Sequence, residues 1–594
     1  MRRPPLLAPR GGEGYERDVA EGGKNRVRYV VLACDYDGTL ACDGQVEAPT
    51  VAALEQVRAS GRRLVLVTGR ELADLQQVCP HLELFDRVVA ENGAVLYRPA
   101  TREERLLAEP PPPALVEALQ WRGVTPLRVG RAIVATWQPH ETTVLAAIRD
   151  LGLERQVIFN KGAVMVLPAG VNKASGLLAA LDELRLSPHN AVGIGDAEND
   201  HAFLSACECG VAVANALPLL KERADHVTAG DHGAGVRELI AQLLADDLAV
   251  LAPRLHRHDI LLGADAAGQP VALPPYGATL LVAGPSGSGK STAATAVLER
   301  LAAAGYQFCL IDPEGDYEAF AGAIALGDTA RAPSVDEVVQ VLDEPRTSVV
   351  VSLLGLALAD RPAFFAALLP RLQALRAQTG RPHWIVLDEA HHLLPATWDP
   401  AVLTLPEGLG ELMLLTVHPD RLARAVLRHV THVVAVGEAP GEPVGRFARA
   451  AGQRLPAREL PALQPGEVLV WPLRAGAPRR VRVAPAQTER LRHRRKYAAG
   501  ELGPDKSFYF RGPEGRLNLR AQNLVLFVQL AEGVDDATWL YHLHRGDYSR
   551  WLREAIKDAE LADEVARVER AAGEAAASRA AIKAAIEARY TLPA

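Results

Sequence analysis

The chain is organised by short apolar runs that stop abruptly at polar residues. From Val27 to about Leu244 the apolar run "RVRYVVLACD" is followed by a helix-period stretch near Thr50 to Ser60, a second apolar run "RLVLVT" and another helical stretch from Glu71. Strands alternating with helices in this rhythm predict βαβ units and a parallel sheet. Between about Arg98 and Val166, "PLRVGRAIVATW", "ETTVLAAIRDLG" and "QVIFN" carry strand and helix patterns of their own, which predict an inserted α/β unit. The rhythm resumes at "ATLLVA" (278–283) and at "HWIVLDEAHHLL" (383–394). Near the carboxyl end, aromatic residues recur at helical spacing, and from Ala555 onward Ala, Glu and Arg dominate, predicting amphipathic helices for packing or oligomerisation.

A chain of 594 residues exceeds what one hydrophobic core organises. The expected division is a flexible tail over 1–26, a first α/β domain over 27–245 with the insertion at about 98–166, a second α/β domain over 246–486, and a basic linker with a mainly helical module over 487–594. No stretch approaches the roughly 18–20 apolar residues of a membrane span, and the amino terminus lacks the apolar core of a signal peptide. The net charge of −7 gives no chain-wide basic field, so contact with DNA would have to be local. Six cysteines form no CxxC pair or zinc spacing, which fits a reduced, cytoplasmic protein with no membrane partner.

In open parallel sheets, ligands sit beyond the carboxyl ends of strands, and Asp35 and Asp37 fall at such an end. A lone DxD pair often only closes a turn. Here it is joined by Thr68 and Gly69 of "LVTGR", by Lys173 of "NKASGL", and by Asp196, Asn199 and Asp200 of "VGIGDAENDHAFL". A carboxylate attacking a phosphoryl group splits hydrolysis into two displacements. Because both partners are anionic, cations are required. Mg²⁺ on oxygen ligands (Asp35, the Asp37 carbonyl, Asp196) and the Lys173 ammonium fit that need, with Thr68 orienting the phosphate and Asp37 exchanging the proton.

These motifs, in this order, resemble the haloacid dehalogenase superfamily. The resemblance implies a Rossmann-like sheet with Asp35 as nucleophile, Asp37 as acid/base, Thr68, Gly69, Lys173 and Asn199 at the phosphate, and Asp196 and Asp200 as metal-side carboxylates. The insertion together with "ENGA" (91–94) resembles the type IIB, Cof-like branch, which implies a mobile cap and a small phosphorylated substrate such as a sugar phosphate.

"GPSGSGKS", Gly284 to Ser291, matches GxxxxGK[ST] directly after an apolar run, the context of a phosphate loop. Gly284, Pro285, Ser286, Gly287, Ser288 and Gly289 would cradle ATP phosphates; Lys290 would reach the β and γ phosphates, and Ser291, with Thr292 beside it, would serve Mg²⁺. Asp388 would hold Mg²⁺ through water and Glu389 would polarise the attacking water, which favours hydrolysis over transfer. His391 and His392 read as surface residues after the strand. "FCLIDPEGDYEAF" and "ELMLLTVHPDRLARAVLRHVTHVVAVGE" resemble segments of HerA/FtsK-type ATPases; His418 then stands where relatives carry a polar sensor, and a homo-oligomeric ring, a hexamer, is implied.

"RLRHRRKY" (490–497) is the densest basic cluster and reads as a solvated linker, with nucleic-acid contact as the alternative. Phe508, Phe510, Trp539, Tyr541, Tyr548 and Trp551 are expected to form a small core. "YHLHRGDYSRWL" resembles a helical module appended to various bacterial proteins, with no activity attached. The function expected is a bifunctional Mg²⁺-dependent phosphatase and ATPase. Three alternatives stay open: a DNA-engaging motor with a regulatory first domain, an end-repair enzyme resembling polynucleotide kinase-phosphatases, and a nucleotide-switched scaffold that binds ATP without appreciable turnover.

Overall fold

The computed structural model describes residues 27–318, 320–397, 411–455, 460–474, 476–486, 502, 506–556, 558–571 and 573–590. The tail over 1–26 and the basic cluster over 490–497 lie outside them.

The first domain is built on an eight-stranded sheet in the order His226–Val227, Cys209–Ala212, Ala191–Gly195, Val31–Cys34, Arg63–Val67, Arg87–Ala90, Val95–Arg98, Glu103–Leu106. The first six are parallel, and the last two close the edge as antiparallel strands. The central strand VLAC is buried on both faces, as a parallel strand covered by helices on two sides requires. The inserted unit has its own four-stranded antiparallel sheet, in the order Arg128–Val129, Val134–Trp137, Ala163–Pro168, Arg155–Asn160, backed by the helices Pro113–Trp121 and Glu141–Asp150. It begins later than about 98: Glu103–Leu106 pairs with Val95–Arg98 and extends the main sheet. An antiparallel return strand carries no period that separates it from the insertion.

The second domain is an eleven-stranded sheet in the order Pro270–Leu273, Ile260–Asp265, Arg479–Val483, Glu467–Pro472, His432–Val436, Thr279–Ala283, Leu412–Thr416, Trp384–Leu387, Phe308–Asp312, Ser348–Ser352, Ala323–Leu326. From His432–Val436 to Ala323–Leu326 every pairing is parallel. The carboxyl-terminal module combines a small hairpin, Phe508–Phe510 with Leu519–Ala521, and helices from Leu524 to Tyr590. Phe508, Phe510, Trp539, Tyr548 and Trp551 pack into its core as expected, but Tyr541 remains half-exposed. Among the described residues no helix is long and apolar enough to cross a membrane.

The two α/β domains meet through residues that immediately precede parallel strands. Arg28, His189 and Glu208 stand before Val31–Cys34, Ala191–Gly195 and Cys209–Ala212; Tyr276, Tyr306 and His383 stand before Thr279–Ala283, Phe308–Asp312 and Trp384–Leu387. Glu208 accepts from Arg28 (2.5 Å) and from the Tyr306 hydroxyl (2.7 Å), and its Oε2 lies 2.7 Å from His189 Nδ1. His189 Nε2 donates to the Ala304 carbonyl at 2.7 Å, and the Arg28 guanidinium stacks 3.7 Å from the Tyr276 ring centre. Asn190 binds His383 Nε2 at 3.1 Å. Both sheets therefore abut by their amino ends. Because ligands bind at carboxyl ends, the two candidate sites open in opposite directions, separated by at least two strand lengths, on the order of 30 Å.

Candidate active sites

Asp35 follows the central strand and is 3% exposed; Lys173 Nζ donates to its Oδ1 at 2.5 Å and to Asp200 Oδ1 at 2.6 Å. Lys173 is the first residue of the helix Lys173–Leu184, whose amino end is fixed by a reciprocal cap between Asn172 and Ser175. The helix comes close because Gly93 lets it: at φ +103°, a Cβ on Gly93 would stand 1.9 Å from the Asn172 carbonyl oxygen. Asp200 Oδ2 accepts from the Asp196 and Ala197 amides at 2.8 and 2.9 Å, which orients its other oxygen toward Lys173. One oxygen each from Asp35, Asp196 and Asp200 lies within 4.8 Å of the others.

That crowding has an electrostatic consequence. Burial pushes the Asp35 carboxyl well above the usual carboxylate range, the neighbouring Asp200 adds to the rise, and Lys173 opposes it. Asp196 is raised for the same leading reason. Lys173 moves up despite burial, because Asp200 and Asp35 favour its charge. An ionised nucleophile here calls for more positive charge. Three hard oxygen donors facing one another suit Mg²⁺, which fits the residues present.

Thr68 directly follows the neighbouring strand Arg63–Val67, is fully buried, and accepts from the Arg70 amide at 3.1 Å. Asn199 donates to Asn92 Oδ1 at 2.8 Å, and Gly69 lies against both side chains. Asp37 is at the mouth instead of the cluster. Its half-exposed carboxylate takes a two-pronged grip from Arg70, 2.7 Å from Nε and 2.7 Å from Nη2. Gly38, next in the chain, abuts Asp196, which places the Asp37 backbone beside the carboxylate cluster.

Sequence reasoning missed three contributors. Arg70 lay inside a quoted motif without a role. Glu91, buried at φ +51°, accepts from the Arg131, Ala132 and Ile133 amides at 2.9, 2.9 and 3.3 Å, clamping the insertion to the main sheet. Lys161, in the turn between two insertion strands, reaches Asp196 at 2.6 Å. Glu91 opens "ENGA", but its partners at 131–133 and the Lys161–Asp196 contact are long-range, and no local pattern points to them.

Residues 32–120 and 140–240 match the family model of haloacid dehalogenase-like hydrolases. The phosphoglycolate phosphatase of Methanothermobacter thermautotrophicus is 31% identical over 222 residues, covering 36% of this chain and 98% of that protein. The chain belongs to the haloacid dehalogenase-like hydrolase family. The phosphoglycolate phosphatase of Haloarcula marismortui is 33% identical over 219 residues, covering 35% of this chain and 95% of that protein. A solved haloacid dehalogenase-like hydrolase from Bacteroides thetaiotaomicron is 20% identical, with a TM-score of 0.32, covering 36% of this chain and 99% of that one.

Behind the haloacid dehalogenase-like domain, the loop from Gly284 to Gly289 joins the buried strand Thr279–Ala283 to the helix Lys290–Ala303. Gly287 and Gly289 adopt left-handed backbone, and the Lys290 ammonium lies on the Gly284 and Pro285 carbonyls at 3.2 and 3.0 Å. Burial lowers the Lys290 pKa, while Glu389, Asp388 and Asp316 pull it back up. Ser291 and Thr292 open the helix half-buried. Asp388, 3% exposed, is pushed up to about 8 by burial and by Asp312, Glu389 and Asp316. Asp312 is itself pushed up to about 6, chiefly by burial. Asp312 and Asp316, both within "FCLIDPEGDYEAF", share this acidic rim because the Phe308–Asp312 strand pairs with Trp384–Leu387.

Glu389 sits in left-handed backbone, and its buried Oε2 has no hydrogen-bond partner among the described residues. His391 is not a surface residue. Its side chain is 8% exposed, its Nδ1 lies 3.1 Å from Thr416 Oγ1 and 3.4 Å from Glu389 Oε2, and its ring stands 5.3 Å from that of His418. The strand Leu412–Thr416, inserted between the phosphate-loop strand and the Asp388 strand, brings Thr416 there; Thr416 Oγ1 also accepts from the His418 amide at 2.9 Å. Residues 261–415 match the AAA ATPase domain model. The protein is thus an enzyme with a haloacid dehalogenase-like hydrolase domain followed by an ATPase domain.

Proposed function

We propose that the chain is a bifunctional enzyme: a Mg²⁺-dependent phosphomonoesterase for small phosphorylated metabolites, joined to an ATP-hydrolysing domain. The observation that carries the first half is Lys173 bridging Asp35 and Asp200, with Asp196 completing a buried oxygen triad. Asp35 attacks phosphorus as the ester oxygen leaves, giving an aspartyl-phosphate. Asp37, released from Arg70, protonates the leaving oxygen and then takes a proton from the water that frees phosphate. Lys173, Thr68, Gly69 and Asn199 hold the phosphoryl oxygens. Mg²⁺ on Asp35, the Asp37 carbonyl, Asp196 and Asp200 supplies charge neutralisation when bound.

The relatives named as phosphoglycolate phosphatases make phosphoglycolate the first substrate to try. Lys161 gives the mouth a cation suited to a leaving group that carries a carboxylate. In the second domain, Lys290 and the loop Gly284–Gly289 hold ATP phosphates, Ser291 and Asp388 serve Mg²⁺, Glu389 positions water, and His418 with Thr416 reads the γ phosphate. The HerA/FtsK-like character and a hexameric ring belong to the same proposal and rest on the sequence strings; engagement of DNA belongs to the alternative.

Phosphate release from phosphoglycolate, sugar phosphates, nucleotides and phosphorylated DNA ends, compared among wild type, Asp35→Asn and Lys290→Ala, tests both halves. Release from a small metabolite lost only in Asp35→Asn supports the phosphatase. If ATP alone is turned over, and DNA stimulates it, the alternative of a DNA-engaging motor replaces this reading.

A further inference from the structure

The sequence motif "YHLHRGDYSRWL" (541–552) plays no part in either catalytic site. In the structure its residues supply half the lining of a cleft of about 450 Å³ in the carboxyl-terminal module, a volume ordinary for small-ligand sites. Residues 506–590 carry thirteen Lys or Arg and thirteen Asp or Glu, so the module as a whole is neutral. The cleft is not: Lys506, Arg511, Arg545 and Arg550 face it against Asp547 and Glu554.

One of those carboxylates is already occupied. Asp547 lies 2.9 Å from His542 Nδ1, 3.3 Å from Arg545 Nε and 3.2 Å from Arg550 Nη1. His542 Nε2 accepts from the Arg511 amide at 3.1 Å, which fixes the imidazole as a structural link with no free nitrogen. Lys506 and Arg511 have no carboxylate partner among the described residues. Two guanidiniums are braced against aromatic walls: Arg511 lies 5.4 Å from the Tyr509 ring centre and Arg545 lies 5.1 Å from that of Tyr541. Tyr541, the motif aromatic that stays out of the core, is on this wall.

We propose that this cleft binds nucleotide phosphate, with Lys506 and the Arg511 and Arg545 guanidiniums on the phosphate and Tyr541 and Tyr509 beside the base. Forked guanidiniums match phosphate oxygens, and tyrosine rings accept any base face without reading sequence. The ligand is a nucleotide unit, either free or within a single strand.

The test uses the full chain carrying Lys290→Ala, so that the phosphate loop does not contribute, in EDTA, so that neither catalytic domain consumes the probe. Anisotropy of a labelled twelve-residue oligothymidylate is titrated over a salt series, with AMP as competitor, and circular dichroism checks the fold. Lys506→Glu with Arg511→Glu is expected to weaken binding at least about tenfold and to flatten the salt slope by roughly 2, one for each phosphate contact removed. Lys506→Arg with Arg511→Lys keeps both charges and should retain the slope. Displacement by AMP marks a free nucleotide as the ligand; displacement only by longer oligomers marks a single strand. Equal binding by the parent and the charge-reversed chain would assign the affinity to another basic segment, such as 490–497, and overturn the proposal. Failure of the parent to bind either probe would overturn it as well.

Discussion

The Tyr306 hydroxyl of the ATPase domain donates to Glu208 Oε2 of the haloacid dehalogenase-like domain over 2.7 Å. Tyr306 stands two residues before one parallel strand and Glu208 one residue before another, so this bond ties the amino ends of two sheets whose carboxyl ends bear the chemistry. His189, Glu208 and His258 lie close enough to share a cation, but Arg28 already brings a positive charge to Glu208. The node is an ion pair at a domain boundary.

Burial alone would raise the Glu208 carboxyl, but the His189 hydrogen bond and the Arg28 charge outweigh it and hold Glu208 below the usual range. The folded carboxyl thus binds its proton more weakly than the unfolded one. Its contribution is present above about pH 4.3, the ordinary glutamate value, and is lost as pH falls through the lower folded value. Glu208→Gln leaves Arg28 with no carboxylate and is expected to cost about 3–5 kcal/mol of domain docking. Calorimetry should show one coupled transition in wild type and two separated ones in the variant, whose docking no longer weakens at acid pH. A single unchanged transition would show that the node does not hold the domains together.

Asp35→Asn removes one of three crowded carboxylates. Without metal, the variant should be as stable as wild type or more so, since the carboxyl it replaces is pushed upward by burial and by Asp200. Wild type should gain thermal stability on adding Mg²⁺, by about 2.7 kcal/mol at a hundredfold excess over the dissociation constant, and the variant should gain less. An equal gain in both would place the metal elsewhere.

Gly93→Ala confronts both a left-handed φ and a carbonyl oxygen 1.9 Å from the new carbon. The helix carrying Lys173 must then move. The expected loss exceeds the 0.4–1 kcal/mol that separates Gly from Ala at permissive sites, by roughly a factor of two or more. Denaturant unfolding of the first domain measures it, and a change within error would mean that the helix shifts freely.

Glu91→Gln keeps the shape of the clamp but not its charge, which three insertion amides share. Amide exchange at 131–133 should accelerate by about tenfold or more, since hydrogen bonds to a charged group contribute roughly 1.5–3 kcal/mol. Turnover of a small phosphate ester should fall with it, as cap closure becomes less defined. Unchanged exchange at those amides would remove Glu91 as the clamp.

Lys290→Ala should abolish ATP binding and hydrolysis at the phosphate loop and leave phosphate-ester hydrolysis at Asp35 unchanged in the monomer, because the sites open in opposite directions. A parallel loss of both, with the fold intact, would reveal coupling through the shared interface.

The sequence by itself determined where the chemistry starts. Strand periodicity placed Asp35, Thr68, Asp196 and Asp388 at carboxyl ends of parallel strands, and the glycine spacing from Gly284 to Lys290 defined a phosphate loop, because these signals are local and repeat along the chain. Local period also assigned the aromatic core of the last module, all but Tyr541. Tertiary structure alone decided that Arg70 takes Asp37, that Glu91 holds 131–133, that Lys161 reaches Asp196, and that His391 turns inward against Thr416. It also decided that Arg28, His189, Glu208 and Tyr306 meet. Each of those is a pairing between groups distant in sequence, and periodicity records which way a residue faces but not which residue faces it.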